Sequence, residues 1–120
     1  MNDKAGRKAL IAQYKDNPPE AGIYRFVNGL TGETFLGADT DLKSVAGKLD
    51  FARLTGTLSV LAGLSSPPGA LERAVRQHGL QHFTLEVLDR VPVKPDTTAQ
   101  ELREELETLL TLWQEKLNHD

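Results

Sequence analysis

Two short apolar segments lie on either side of a tight turn, and this pairing constrains the fold more than any other feature. Residues 22–27 alternate their side chains between the two faces of a strand, so Ile23 points away from Tyr24. Asn28 and the glycine after it both tolerate the positive φ angles of a hairpin turn. Residues 33–37 continue as a second strand, so the sequence predicts an antiparallel β-hairpin.

The rest of the chain alternates between helical and extended patterns. Residues 83–88 alternate apolar and polar side chains and predict a third strand. Helices are predicted over residues 1–15, from about 41 to 55, from 69 to 78 and from about 98 to 117, with a helical turn ending at Gly63 and a proline-bearing loop over 91–98. The expected fold class is α+β, a small three-stranded antiparallel sheet with an N-terminal β-hairpin, flanked by helices. We expect residues 1–20 to form an N-terminal helix and Pro-rich linker, and residues 21–120 to form the domain.

The last predicted helix carries a wide apolar stripe. The stripe consists of Leu102, Leu106, Leu109, Trp113 and Leu117, and it is widened by Leu110 and Leu112. Such a width indicates either deep burial within the fold or a second apolar contact, such as a homodimer interface. Burial within the fold is the leading interpretation.

Charge limits how the chain can interact with nucleic acid. The formal net charge is −3, which argues against strong nonspecific binding to phosphates. The charge is unevenly distributed, because residues 1–95 carry +2 and residues 96–120 carry −5. A near-neutral body with an acidic end still allows a small basic face.

Two absences narrow the class of protein. The sequence has no cysteine, which excludes disulfides, thiolate metal sites and thiol nucleophiles. It also shows no charged-then-apolar leader and no apolar run of membrane-spanning length. We therefore expect a cytoplasmic protein without a membrane partner.

Five short motifs follow one another along the chain. They are Gly22-Ile23-Tyr24, Phe35-Leu36-Gly37, Asp41-Leu42-Lys43, the segment from Phe83 to Leu88, and Trp113 near the end. In this order and spacing the chain resembles the GIY-YIG nucleases, and among them a small bacterial branch. The resemblance implies the α+β fold described above. It also implies a site that cleaves nucleic acid with a tyrosine, an arginine and a metal-bound glutamate.

The resemblance assigns four reactive positions. Tyr24 keeps the tyrosine of the first motif, which in the family helps to deprotonate the attacking water. The second tyrosine, the arginine and the metal-ligating glutamate correspond to Phe35, Val45 and Leu110. A phenyl ring has no hydroxyl, and aliphatic side chains neither stabilise phosphate charge nor bind Mg²⁺. The sequence therefore predicts a degraded active site.

Three functions remain open at this point. The leading hypothesis is a noncatalytic domain that keeps weak binding to DNA or RNA and needs no cofactor. Its candidate contacts are Arg25, Lys43, Lys48, Arg53, Arg73 and Arg76. The second hypothesis is an active endonuclease that uses Mg²⁺ or Mn²⁺, with Tyr24, Lys48 and Glu107 as its catalytic groups and Glu107 as the metal ligand; Arg53 is the alternative to Lys48. The third is a protein-interaction or homodimer module built on the last helix.

One histidine pair has a spacing that suits metal binding. His78 and His82 are four residues apart, which would place both on one face of a continuous helix. Gly79 is predicted to end the helix between them, and no third ligand lies nearby in the sequence. We therefore expect no metal site at this pair.

Overall fold

A computed structural model describes residues 20–118 of the chain. Its elements, in chain order, are strands β1 (Glu20–Asn28) and β2 (Thr34–Asp39), helix α1 (Leu42–Thr55), a 3₁₀ turn (Leu58–Leu61), helix α2 (Ala70–His78), a second 3₁₀ turn (Leu80–His82), strand β3 (Phe83–Pro92) and helix α3 (Ala99–Asn118). The α+β class, with a three-stranded antiparallel sheet and flanking helices, is confirmed. The predicted helix over residues 1–15, and its linker as far as residue 19, lie outside the described residues.

The sheet has the strand order β2-β1-β3, and β1 pairs antiparallel with both neighbours. Strand β3 is longer than predicted, because it continues to Pro92 where the sequence indicated a loop from residue 91. The reason is the early start of β1 at Glu20, which gives the last residues of β3 backbone partners. Pro92 lacks an N–H donor, and it is tolerated because it ends a strand at the edge of the sheet.

The two faces of the sheet carry separate apolar clusters. Tyr24 and Phe26 point to one face, where they pack with α1, α2 and the Leu58–Leu61 turn. Ile23 points to the other face and packs against α3. The predicted alternation along β1 is therefore confirmed, and the sheet lies between two helices on one side and one on the other.

Helix α1 begins and ends where its sequence predicts. The side chain of Asp41 caps its first turn by accepting a hydrogen bond from the backbone N–H of Lys43 at 3.1 Å. Gly56 ends the helix in the left-handed conformation, with φ of 75°, which glycine adopts without a steric penalty. Val45 and Leu49 are buried on its inner face.

Most of the apolar stripe of α3 is used within the fold. Leu102 and Leu106 are buried, and Leu109, Leu110 and Trp113 pack around them. Leu112 and Leu117 do not belong to this cluster, and 54% of the Leu112 surface is exposed. None of the helices in residues 20–118 has the length and apolar character that a bilayer span requires.

Candidate functional site

The Tyr24 side chain is enclosed in the core. It is 1% exposed, and its hydroxyl donates a hydrogen bond to the backbone carbonyl oxygen of Leu64 at 2.8 Å. Gly37 lies opposite Tyr24 in the β1–β2 register, and the tyrosine ring crosses the space where a side chain at position 37 would be. The glycine of the second motif is therefore required for packing, independently of any chemistry.

The environment of Tyr24 opposes ionisation of its phenol. Burial raises the pKa of Tyr24 above its ordinary value of about 10, and the negative charge of Asp39 raises it further. A tyrosine that accepts a proton from water needs the opposite shift, towards the working pH. The hydroxyl at Tyr24 therefore acts as a structural hydrogen-bond donor.

We expect Tyr24→Phe to lower the free energy of unfolding by about 1–2 kcal/mol, because the buried Leu64 carbonyl loses its donor. The variant should also be less sensitive to alkali. In the unfolded chain Tyr24 ionises near pH 10, whereas the folded state keeps it protonated, so stability falls as the pH rises above about 10. Urea unfolding of both proteins at about pH 8 and about pH 11 measures this difference. An identical pH dependence would show that the hydroxyl reaches solvent.

Two of the assigned reactive positions belong to the same core as Tyr24. Val45 is 1% exposed, and it packs in the cluster that contains both Tyr24 and Phe35. The Phe35 ring lies 6.1 Å from the ring of Phe83, centroid to centroid. The positions that the resemblance assigns to a tyrosine and an arginine are thus filled by interior apolar side chains.

The third assigned position lies on the other side of the sheet. Leu110 lines an open cavity of about 310 Å³ between the end of β2 and helix α3. The remaining lining residues are Ala38, Asp39, Thr40, Arg103, Leu106 and Glu107. Glu107 and Leu110 therefore share one cavity, and its carboxylate oxygens come from Asp39 and Glu107 and not from position 110.

Sequence reasoning did not predict two charged residues of this cavity as site residues. Asp39 ends β2 two residues after Gly37, and one of its oxygens accepts the backbone N–H of Asp41 at 2.8 Å. Arg103 lies four residues before Glu107 on α3, which places the two on one helix face. That i, i+4 spacing was visible in the sequence, whereas the approach of β2 to α3 was not.

The three proposed catalytic groups do not come together. Tyr24 is enclosed in the core, Lys48 is exposed on α1, and Glu107 is exposed on α3. Helices α1 and α3 pack against opposite faces of the sheet. Arg53, the alternative to Lys48, is held by the fold, because its Nη2 donates a hydrogen bond to the backbone carbonyl of Phe83 at 3.0 Å.

Position 110 does not fit the metal-ligating role that the resemblance gives it. Mg²⁺ prefers oxygen ligands, and position 110 supplies an aliphatic side chain. Within residues 20–118, no three carboxylate or imidazole groups lie close enough together to hold a metal ion. His78 and His82 are separated by Gly79, as predicted, and each ends a different element.

The six candidate nucleic-acid contacts fall into two groups. Arg25 pairs with Glu86 at 2.7 Å, Arg76 pairs with Glu72 at 3.1 Å, and Arg53 holds the Phe83 carbonyl. The other three, Lys43, Lys48 and Arg73, are exposed and have no carboxylate within 4.0 Å among the described residues. The second group is available for phosphates.

A solved structure has the same fold. The catalytic domain of the intron endonuclease I-TevI, in a mutant form, matches this chain with a TM-score of 0.56 at 19% sequence identity, over 82% of this chain and 84% of that one. No family model matches the sequence, and no curated protein matches it. At this identity the likeness concerns the fold alone, and it confirms the GIY-YIG nuclease fold that the motifs predicted.

Proposed function

We propose that this chain is a nucleic-acid-binding domain with the fold of a GIY-YIG nuclease and without its catalytic chemistry. The observation that carries the proposal is the shared burial of Tyr24, Phe35 and Val45 in one apolar cluster. These positions would have to open towards a substrate in a working site, and here they form the interior.

The three lost groups serve different parts of phosphodiester hydrolysis. A hydroxyl at position 35 would bind a water or a phosphate, and a cation at position 45 would stabilise charge developing on the phosphate. A carboxylate at position 110 would hold the metal ion, which activates water and neutralises oxygen charge. Because each group addresses a different charge, the loss of all three is not compensated by Glu107 or Lys48 alone.

Binding is supported by the way charge is divided between the two sides of the sheet. Helices α1 and α2 lie on one side and carry five basic and two acidic residues. Helix α3 lies on the other side and carries five acidic and two basic residues. A polyanion is therefore attracted to the α1–α2 side, despite the net charge of −3.

A gel-shift series with a short DNA duplex tests the proposal. We expect binding at low salt that is equal in EDTA and in Mg²⁺, and that weakens about 10- to 40-fold between about 50 and 200 mM NaCl, as two or three phosphate contacts predict. Lys43→Gln combined with Lys48→Gln should weaken binding and flatten the salt dependence.

The matched control is Lys116→Gln, which changes charge on the acidic α3 side and should leave the affinity nearly unchanged. No shift at the lowest salt concentration, with DNA or with RNA, would refute the proposal.

A further inference from the structure

The outer face of α1 exposes two large apolar side chains. Phe51 is 48% exposed and Leu54 is 87% exposed, and their spacing of three residues places them on one helix face. In residues 20–118, only Leu30 and Leu112 are exposed large apolar residues besides these two. Phe51 is the aromatic member of the set, and it is not used by the core.

A glycine lies beside Phe51 on the same face. Long and aromatic side chains on a helix lean towards its N-terminus, over the residue four positions earlier. For Phe51 that residue is Gly47, which is exposed, and neither the Phe51 ring nor any other side chain lies within 4 Å of the place where a Cβ at position 47 would be. The glycine weakens the helix, and it offers no side chain that could cover this side of the aromatic ring.

Two exposed lysines of α1 lie near the Phe51 ring in the helix. Lys48 precedes Phe51 by three residues, and Lys43 precedes Gly47 by four, so both lie along or beside the exposed face. Neither has a carboxylate within 4.0 Å among the described residues. A half-exposed aromatic ring with two lysines on its N-terminal side along one helix offers both contacts that single-stranded nucleic acids use, in which bases stack on aromatic rings and phosphates pair with cations.

We propose that the outer face of α1 binds single-stranded nucleic acid, with a base stacked on Phe51 and phosphates on Lys43 and Lys48. The inference rests on the proposed nucleic-acid binding and names the form of nucleic acid that this face selects. A duplex keeps its base faces stacked on one another, so it can use the lysines and cannot use the ring.

Fluorescence anisotropy with a labelled oligothymidine and a duplex of equal length tests the inference. We expect the single strand to bind more tightly, and Phe51→Ala to weaken single-strand binding about 5- to 100-fold, the range of one lost stacking contact. The affinity for duplex should change by less than about twofold, because the phosphate contacts remain.

A second variant tests the same face without removing Phe51, so a loss of stability in Phe51→Ala cannot explain both results. Gly47→Leu adds a side chain where none is contacted, so it should raise the melting temperature while covering the ring and weakening single-strand binding. Leu112→Ala, an exposed leucine on α3, is the matched control and should leave both affinities unchanged.

Three outcomes would overturn the inference. Equal binding of duplex and single strand, unaffected by Phe51→Ala, would refute it while leaving the proposed function intact. Binding of neither form would refute both. A concentration-dependent dimer that Phe51→Ala dissociates, with single-strand binding unaffected, would identify the face as a contact between copies of this chain.

Discussion

Replacing Val45 with arginine is expected to lower the free energy of unfolding by about 3–5 kcal/mol, enough to unfold many domains of this size. The guanidinium would enter the cluster of Tyr24 and Phe35 without a carboxylate partner, since the members of that cluster are apolar apart from the engaged Tyr24 hydroxyl. Position 45 is where the resemblance expects an arginine. The substitution therefore asks directly whether that position opens to a substrate or to the interior.

Urea unfolding followed by circular dichroism measures this effect, and Gly47→Arg provides the control. That variant adds the same side chain two residues along α1, at an exposed position with open space. It should be at least as stable as the original protein, because arginine is a better helix former than glycine. A Val45→Arg protein within about 1 kcal/mol of the original would contradict the buried placement of position 45.

Gly37→Ala is expected to cost about 2–4 kcal/mol, because position 37 has no room for a methyl group. An added Cβ would lie 2.5 Å from both Cζ and the hydroxyl of Tyr24, and 2.6 Å from the Leu64 carbonyl oxygen. The ring cannot move aside, since it is enclosed and its hydroxyl is held by that carbonyl. The substitution thus strains the strand and the hydrogen bond together.

Denaturant unfolding of single and double variants separates these contributions. The cost of Gly37→Ala should fall by about 1 kcal/mol in a Tyr24→Phe background, where the hydroxyl contact is gone. Gly47→Ala is the control glycine substitution, and it should stabilise α1 by about 0.5–1 kcal/mol. If Gly37→Ala were equally harmless, the close approach of Tyr24 to β2 would be wrong.

These expectations explain how the motifs can persist without their chemistry. Gly37 is needed because the Tyr24 ring occupies the space of a side chain at position 37. The Tyr24 hydroxyl in turn donates a hydrogen bond to the carbonyl of Leu64, 40 residues along the chain. Gly22 is similarly confined, because a side chain there would meet the backbone of Asp89. A chain that lost cleavage would still need these residues to fold, so their presence identifies a fold and leaves activity undecided.

Local patterns predicted most of the secondary structure. The β1–β2 hairpin and the alternation along β1 are each determined by a few neighbouring residues, and each is confirmed. The turn chemistry was predicted wrongly, because among the described residues of the hairpin the positive φ lies at Gly32 (79°) and not at Asn28 or Gly29. Asp41, one of three candidate caps with Asp39 and Thr40, is the residue that caps α1. The extent of β3 was missed because it depends on pairing with residues more than 60 positions earlier. The edges of long-range pairing are not encoded in local periodicity.

The arrangement of the candidate site was harder to predict from the sequence than the secondary structure. The resemblance identified Phe35, Val45 and Leu110 as apolar, but it could not say that the first two share a core while the third lines a separate cavity. The ion pair that engages Arg25 was also hidden, because Glu86 belongs to a distant strand. Such contacts arise from the topology of the sheet and not from spacing along the chain.

The most direct test of the central claim is whether DNA and RNA strands stay intact when they are incubated with the protein and a divalent metal ion. Labelled duplex and single-stranded DNA and RNA are incubated with the protein in Mg²⁺ or Mn²⁺, and each sample is divided between a native and a denaturing gel. We predict retarded complexes on the native gel and intact strands on the denaturing gel. Metal-dependent cleavage that disappears in Glu107→Gln or in Tyr24→Phe would contradict the account, because those side chains would then supply the chemistry that this fold is proposed to have lost.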